Sequence, residues 1–163
     1  MKTVYLTIIL ILSSFFPALG QATTLTYFIR TEQLDDRWLA AIQKENLNEK
    51  DGGGKTPLIY ALYTGNRKLV SALLQGGADP SLLGDNGVSP LYVAVMMKDE
   101  SLLKILIKSG AKFPNESIRL NPCRAAITAN QPKLLKILLE AYPKADLSAL
   151  FEKPSKEYPK SAG

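Results

Sequence analysis

The residue types that most often carry chemistry are scarce in this chain. Its 163 residues include no His and one Cys, Cys123. Without His the commonest general base and metal ligand is missing. A lone Cys cannot assemble a thiolate metal cluster, and the Asp and Glu residues show no ligand spacing. One stretch does suggest phosphate binding: Gly52-Gly53-Gly54-Lys55-Thr56 ends as a nucleotide-binding loop ends. That loop needs a Gly five residues before the Gly of Gly-Lys. Glu49 stands there instead, and Pro57 opens a short helix where the motif wants a long one. No catalytic set, cofactor site or metal site is expected, and the chain reads as not an enzyme.

The elements around that stretch explain it better. Thr56-Pro57-Leu58-Ile59-Tyr60-Ala61 recurs as Ser89-Pro90-Leu91-Tyr92-Val93-Ala94 and as Asn121-Pro122-Cys123-Arg124-Ala125-Ala126, with the prolines 33 and 32 residues apart. Each copy starts a helix: a side-chain oxygen caps free amides, and Pro fits the first turn, where it needs no N–H. Turns follow at Gly65-Asn66, Lys98-Asp99 and Asn130-Gln131. Asn66 and Asp99 suit the start of a second helix, and Pro132 sits early in the third copy. Those helices present Leu69, Val70, Leu73 and Leu74, then Leu102, Leu103, Leu106 and Ile107, as one wide apolar face. Gly76-Gly77 and Ser109-Gly110 end two of them. Cys123 takes the place of Leu58 and Leu91 and reads as a small buried hydrophobe.

A repeat of this length with Thr-Pro-Leu-x-x-Ala resembles the ankyrin repeat. Asp51-Gly52-Gly53-Gly54-Lys55-Thr56-Pro57-Leu58 looks like that family's fingertip and helix start, and Gly77-Ala78-Asp79-Pro80 like its Gly-Ala-Asp stretch. The likeness covers roughly residues 34–142. Ile59, Tyr92 and Arg124 stand where the family usually has His. The third copy departs furthest, with Cys123 for Leu, a short 112–120 loop and Tyr142-Pro143 for Gly-Ala. The resemblance implies an all-α fold, an ankyrin-repeat solenoid of about three helix–turn–helix repeats with short β-turn fingers and capping helices. The expected divisions are a half-repeat cap at 34–55, repeats at 56–88, 89–120 and 121–152, and a disordered tail at 153–163. The cap is a helix over 35–45, residues 146–152 form a short closing helix, and 21–33 is an irregular leader.

The first 20 residues read as a signal peptide. Lys2 precedes an apolar run over 4–16, and Ala18 and Gly20 suit a cut before Gln21, with a cut after Ala22 as the second choice. The run is shorter than the ~20 residues of a spanning helix. No Cys follows the cut, so no lipid anchor is expected, and removal of Lys2 lowers the formal charge from +5 to +4. Residues 21–54 hold six acids and four bases, and 55–163 nine acids and fifteen bases. Lys68, Lys104, Lys108, Lys133 and Lys136 lie opposite the apolar face without aromatic neighbours, which suits a solvated face rather than nucleic acid. Asn115-Glu116-Ser117 fits a glycosylation acceptor and matters only in a eukaryotic secretory route.

By resemblance, binding uses the fingertips and the concave ends of the first helices. Fingertip candidates are Gly52, Gly53, Lys55, Asp85, Asn86 and Val88. Concave candidates are Tyr63, Thr64, Met96, Met97, Thr128 and Ala129. Tyr and Met are favoured at interfaces. The expected function is a periplasmic, monomeric module binding a folded protein partner, with an immunity or inhibitor role against a toxin or effector as one form. Open alternatives are an accessory protein for a periplasmic enzyme and a secreted effector acting in a host.

Overall fold

In this computed structural model, residues 46–114 and 120–145 are described, together with Ile29 and Ile42. They form three helix–turn–helix units in line: α1 (Pro57–Thr64) and α2 (Arg67–Gln75), α3 (Pro90–Met96) and α4 (Glu100–Lys108), α5 (Pro122–Thr128) and α6 (Pro132–Ala141). The described residues contain no strand. First helices stack on one another, α1 on α3 and α3 on α5, and second helices form a parallel layer, α2 on α4 and α4 on α6.

The local chemistry acts where the repeat pattern places it. Thr56, Ser89 and Asn121 accept from the amides of Ile59, Tyr92 and Arg124, each with Pro in the first turn. Asn66 and Asp99 cap α2 and α4 in the same way. Gln131, at the start of α6, makes no capping bond with its side chain. Between the two helices of each unit the chain reverses through one left-handed residue: Gly65, Lys98 or Asn130, at φ 68°, 55° and 52°. Without a Cβ, Gly takes that conformation at low cost; Lys takes it at a cost of roughly 1–2 kcal/mol.

The core repeats with the sequence. Ala61, Ala94 and Ala126 are fully buried and let successive first helices approach, while Leu73, Leu106 and Leu138 fill the space beneath the second helices. Cys123 is buried as its Leu counterparts are. Gly76 has a packing reason: a Cβ there would stand 2.7 Å from Ile42 and 3.0 Å from Leu47.

Polar bonds cross each repeat boundary at matching positions. The Asp79 amide donates to Asn48 Oδ1 at 2.8 Å, and one repeat later the Lys112 amide donates to Ser81 Oγ at 2.9 Å. Arg67 donates from Nε and Nη2 to Asp99 Oδ2, at 3.2 and 2.9 Å. The third unit closes differently. The Tyr142 hydroxyl donates to the Ala111 carbonyl, and its ring packs against Phe113 with centroids 5.4 Å apart.

The leading segment departs from expectation. Ile29, inside the stretch read as irregular, is helical and fully buried. It stands 33 residues before Leu62 and belongs to the same buried core cluster. Ile42 is helical and buried, as a capping helix requires. The rest of that helix, the signal segment 1–20, the closing helix 146–152, the tail 153–163 and the Asn115 acceptor lie outside the described residues.

Candidate protein-binding surface

The two fingers are tight turns joined to each other, and Asp51 braces the first. The Gly54 amide donates to the Asp51 carbonyl at 2.8 Å, and the Gly87 amide to the Gly84 carbonyl at 3.2 Å. Asp51 Oδ1 accepts from the amides of Gly53 and Lys55, both at 3.0 Å, and Oδ2 accepts from the Tyr60 hydroxyl at 2.6 Å. Loss of solvent would raise the Asp51 pKa, but the Tyr60 hydroxyl, these amides and the Lys55 charge outweigh it and hold the carboxyl below its ordinary value. Asp85 closes the gap between fingers. Its amide donates to the Gly54 carbonyl at 2.8 Å, and its carboxylate meets Lys50 Nζ at 3.1 Å.

Few fingertip candidates are therefore idle. Gly52 and Gly53 are exposed, Asp85 is exposed but paired, and Lys55 is half-buried with its Nζ 5.6 Å above the Tyr60 ring centroid. Val88 is half-buried against the core, so it serves packing more than contact. The Asn86 backbone lies in the turn Asp85–Gly87, and its side chain is outside the described residues.

The concave row is the exposed apolar surface that the sequence pattern points to. Tyr63 is 45% exposed, Met96 48% and Met97 39%. Tyr63 and Met96 hold the same position in consecutive repeats, at the last turn of α1 and of α3. Thr64 and Thr128 flank the row, but their hydroxyls turn back onto their own helices: Thr64 donates to the Ala61 carbonyl at 2.8 Å, and Thr128 to the Arg124 and Ala125 carbonyls at 3.0 and 3.1 Å. Ala129 is half-buried. Ile127, one residue before Thr128, was not among the sequence candidates. It is 50% exposed, although its counterparts Leu62 and Val95 are fully buried. The repeat pattern marks that position as core, yet the side chain is exposed.

The one cysteine, Cys123, is buried, and that burial pushes its thiol up to about 11. Among the described residues no group of three or more His, Cys, Asp or Glu could hold a metal ion. No helix of the described residues is long and apolar enough to cross a membrane.

Comparisons agree with this geometry. A family model described as ankyrin repeats (3 copies) matches residues 20–117, beginning ahead of the expected half-repeat. A putative ankyrin repeat-containing protein of Treponema pallidum is 33% identical over 89 residues, 54% of this chain and 30% of its own length. Protein PhlB of Serratia liquefaciens is 32% identical over 98 residues, 59% of this chain and 43% of its own. Human ankyrin repeat domain-containing protein 13C is 30% identical over 104 residues, 64% of this chain and 18% of its own. The chain thus spans less than half the length of each of these relatives. With helix-start caps, left-handed turns and a stacked helix-pair core recurring every 32 or 33 residues, the chain belongs to the ankyrin-repeat family.

Proposed function

We propose that this protein is an exported, non-catalytic binding module that grips a folded protein partner through its concave row. The observation that carries this reading is the exposure of Tyr63, Met96 and Met97 at the ends of the first helices of consecutive repeats. Ankyrin repeats are generally protein–protein interaction modules, and aromatic and Met side chains are favoured at interface centres. Charge narrows the partner. Lys98 directly follows Met97 and is exposed, whereas the next residue, Asp99, is occupied by Arg67. An apolar element bordered by carboxylates fits such a surface.

The signal-like segment at 1–20 supports a periplasmic location. Within it, occlusion of a toxin or effector, as by an immunity protein, suits a small rigid chain without catalytic residues. Protein purified from the periplasm should begin at Gln21.

The test is capture from periplasmic extract by the mature chain. A retained protein should be lost with Tyr63→Asp/Met96→Asp, at a cost well over ~2 kcal/mol in affinity, while the melting curve stays unchanged. Equal capture by the double variant would refute the assignment of the row.

A further inference from the structure

Three sulfur atoms lie in the described residues, and the fold treats them in opposite ways. Cys123 is 1% exposed, with a thiol that stays protonated at neutral pH. Met96 and Met97 stand side by side at the end of α3, exposed, and are the only methionines besides Met1. Their backbone is committed: the Met97 amide donates to the Val93 carbonyl and the Lys98 amide to the Val95 carbonyl, both at 2.9 Å. A reagent that seeks sulfur therefore reaches the row before it reaches the core.

We propose that Met96 and Met97 form an oxidation-sensitive site, at which a peroxide converts both thioethers to sulfoxides and switches off the apolar row without unfolding the repeats. In each reaction the sulfur lone pair attacks the distal peroxide oxygen and the O–O bond breaks. A new S=O bond forms, and the displaced oxygen takes up a proton and leaves as water when the oxidant is hydrogen peroxide. Sulfur loses two electrons and the peroxide gains them. The product is polar and chiral where the reactant was apolar and pliable, and a thiol-dependent sulfoxide reductase can restore it. Because neither Met is in the core, the change falls on contact rather than on stability. The switching half of the proposal rests on the row being the binding surface; the oxidation site itself does not.

The mature chain is treated with hydrogen peroxide beside free methionine in the same solution, then mapped by peptide mass. One added oxygen is expected on each of Met96 and Met97, at rates within about threefold of free methionine, with none on Cys123. The melting temperature should not move. Rates about tenfold slower than free methionine, or oxidation only in step with unfolding, overturn the site. Retention on a phenyl matrix then reads the row without any partner. It should shorten on oxidation, recover with methionine sulfoxide reductase, and stay constant under peroxide in Met96→Leu/Met97→Leu. Retention unchanged by oxidation overturns the switch. A chain that oxidises and loses retention yet captures no partner overturns the binding reading alone.

Discussion

Lys98 and Asn130 carry a left-handed backbone because the position they share with Gly65 must reverse the chain between the helices of a repeat. The Lys98 amide bond to the Val95 carbonyl is one that Gly would keep, so Lys98→Gly should raise stability by about 1 kcal/mol in urea unfolding, and Gly65→Ala should lower it by a similar amount. Titration supplies two further residue-scale expectations. Cys123 is held up to about 11 by burial, above its ordinary 9.0. Its contribution is whole below pH 9 and lost as pH rises toward 11, because the unfolded thiol ionises first. Unfolding midpoints should therefore fall over that window, and less so in Cys123→Ala. Asp99 behaves in the opposite sense. Desolvation would raise its pKa, but the Leu102 amide, the Arg67 guanidinium and the Ser101 amide outweigh this and hold it below 3.8. Its contribution is present above that value and lost as pH falls below it, and Asp99→Asn should show a shallower acid limb. The burial of Cys123 was legible from its alignment with Leu58 and Leu91. The exposure of Ile127 was not, because periodicity marks a face as apolar without saying whether anything covers it.

The helices differ chiefly in how they begin. Five of the six have a side chain bonded to their first amides; α6 begins at Gln131 with none. Gln131→Asp should supply the cap that Asp99 gives α4 and stabilise the protein by about 1 kcal/mol, read as a rise in the urea midpoint. Caps and helix starts were legible because they are contacts within three residues of sequence. The bond from Tyr142 to Ala111 spans 31 residues. In the sequence Tyr142 registers only as a departure from Gly-Ala; in the fold it fastens the last unit to the loop before it. Ile29 is the converse case, a buried helical residue in a stretch whose sequence carries no clear local signal.

Across the whole array, each unit meets only its neighbours, so the same cavity should cost different amounts at different places. Leu106 and Leu138 occupy one position in consecutive repeats and both are fully buried. Leu106→Ala loosens two boundaries and should cost more than Leu138→Ala within the usual 2–5 kcal/mol range, as measured by urea unfolding. Equal losses would mean that the third unit is not terminal in the energetic sense. The repeat was legible throughout because 33-residue spacing survives side-chain substitution; the direction of the stack was not, because it resides in pairs that match only across a boundary. Arg67 grips Asp99 from the preceding unit, and the residue equivalent to Arg67 in the second unit is Glu100. A chain in which the second repeat was copied onto itself would set Glu100 against a new Asp99, acid facing acid. The units are thus not interchangeable tiles: their charges favour one order, and a duplicated second repeat would exchange the Arg67–Asp99 pair for a repulsion at this joint, a loss on the order of 1 kcal/mol for a pair that is partly exposed.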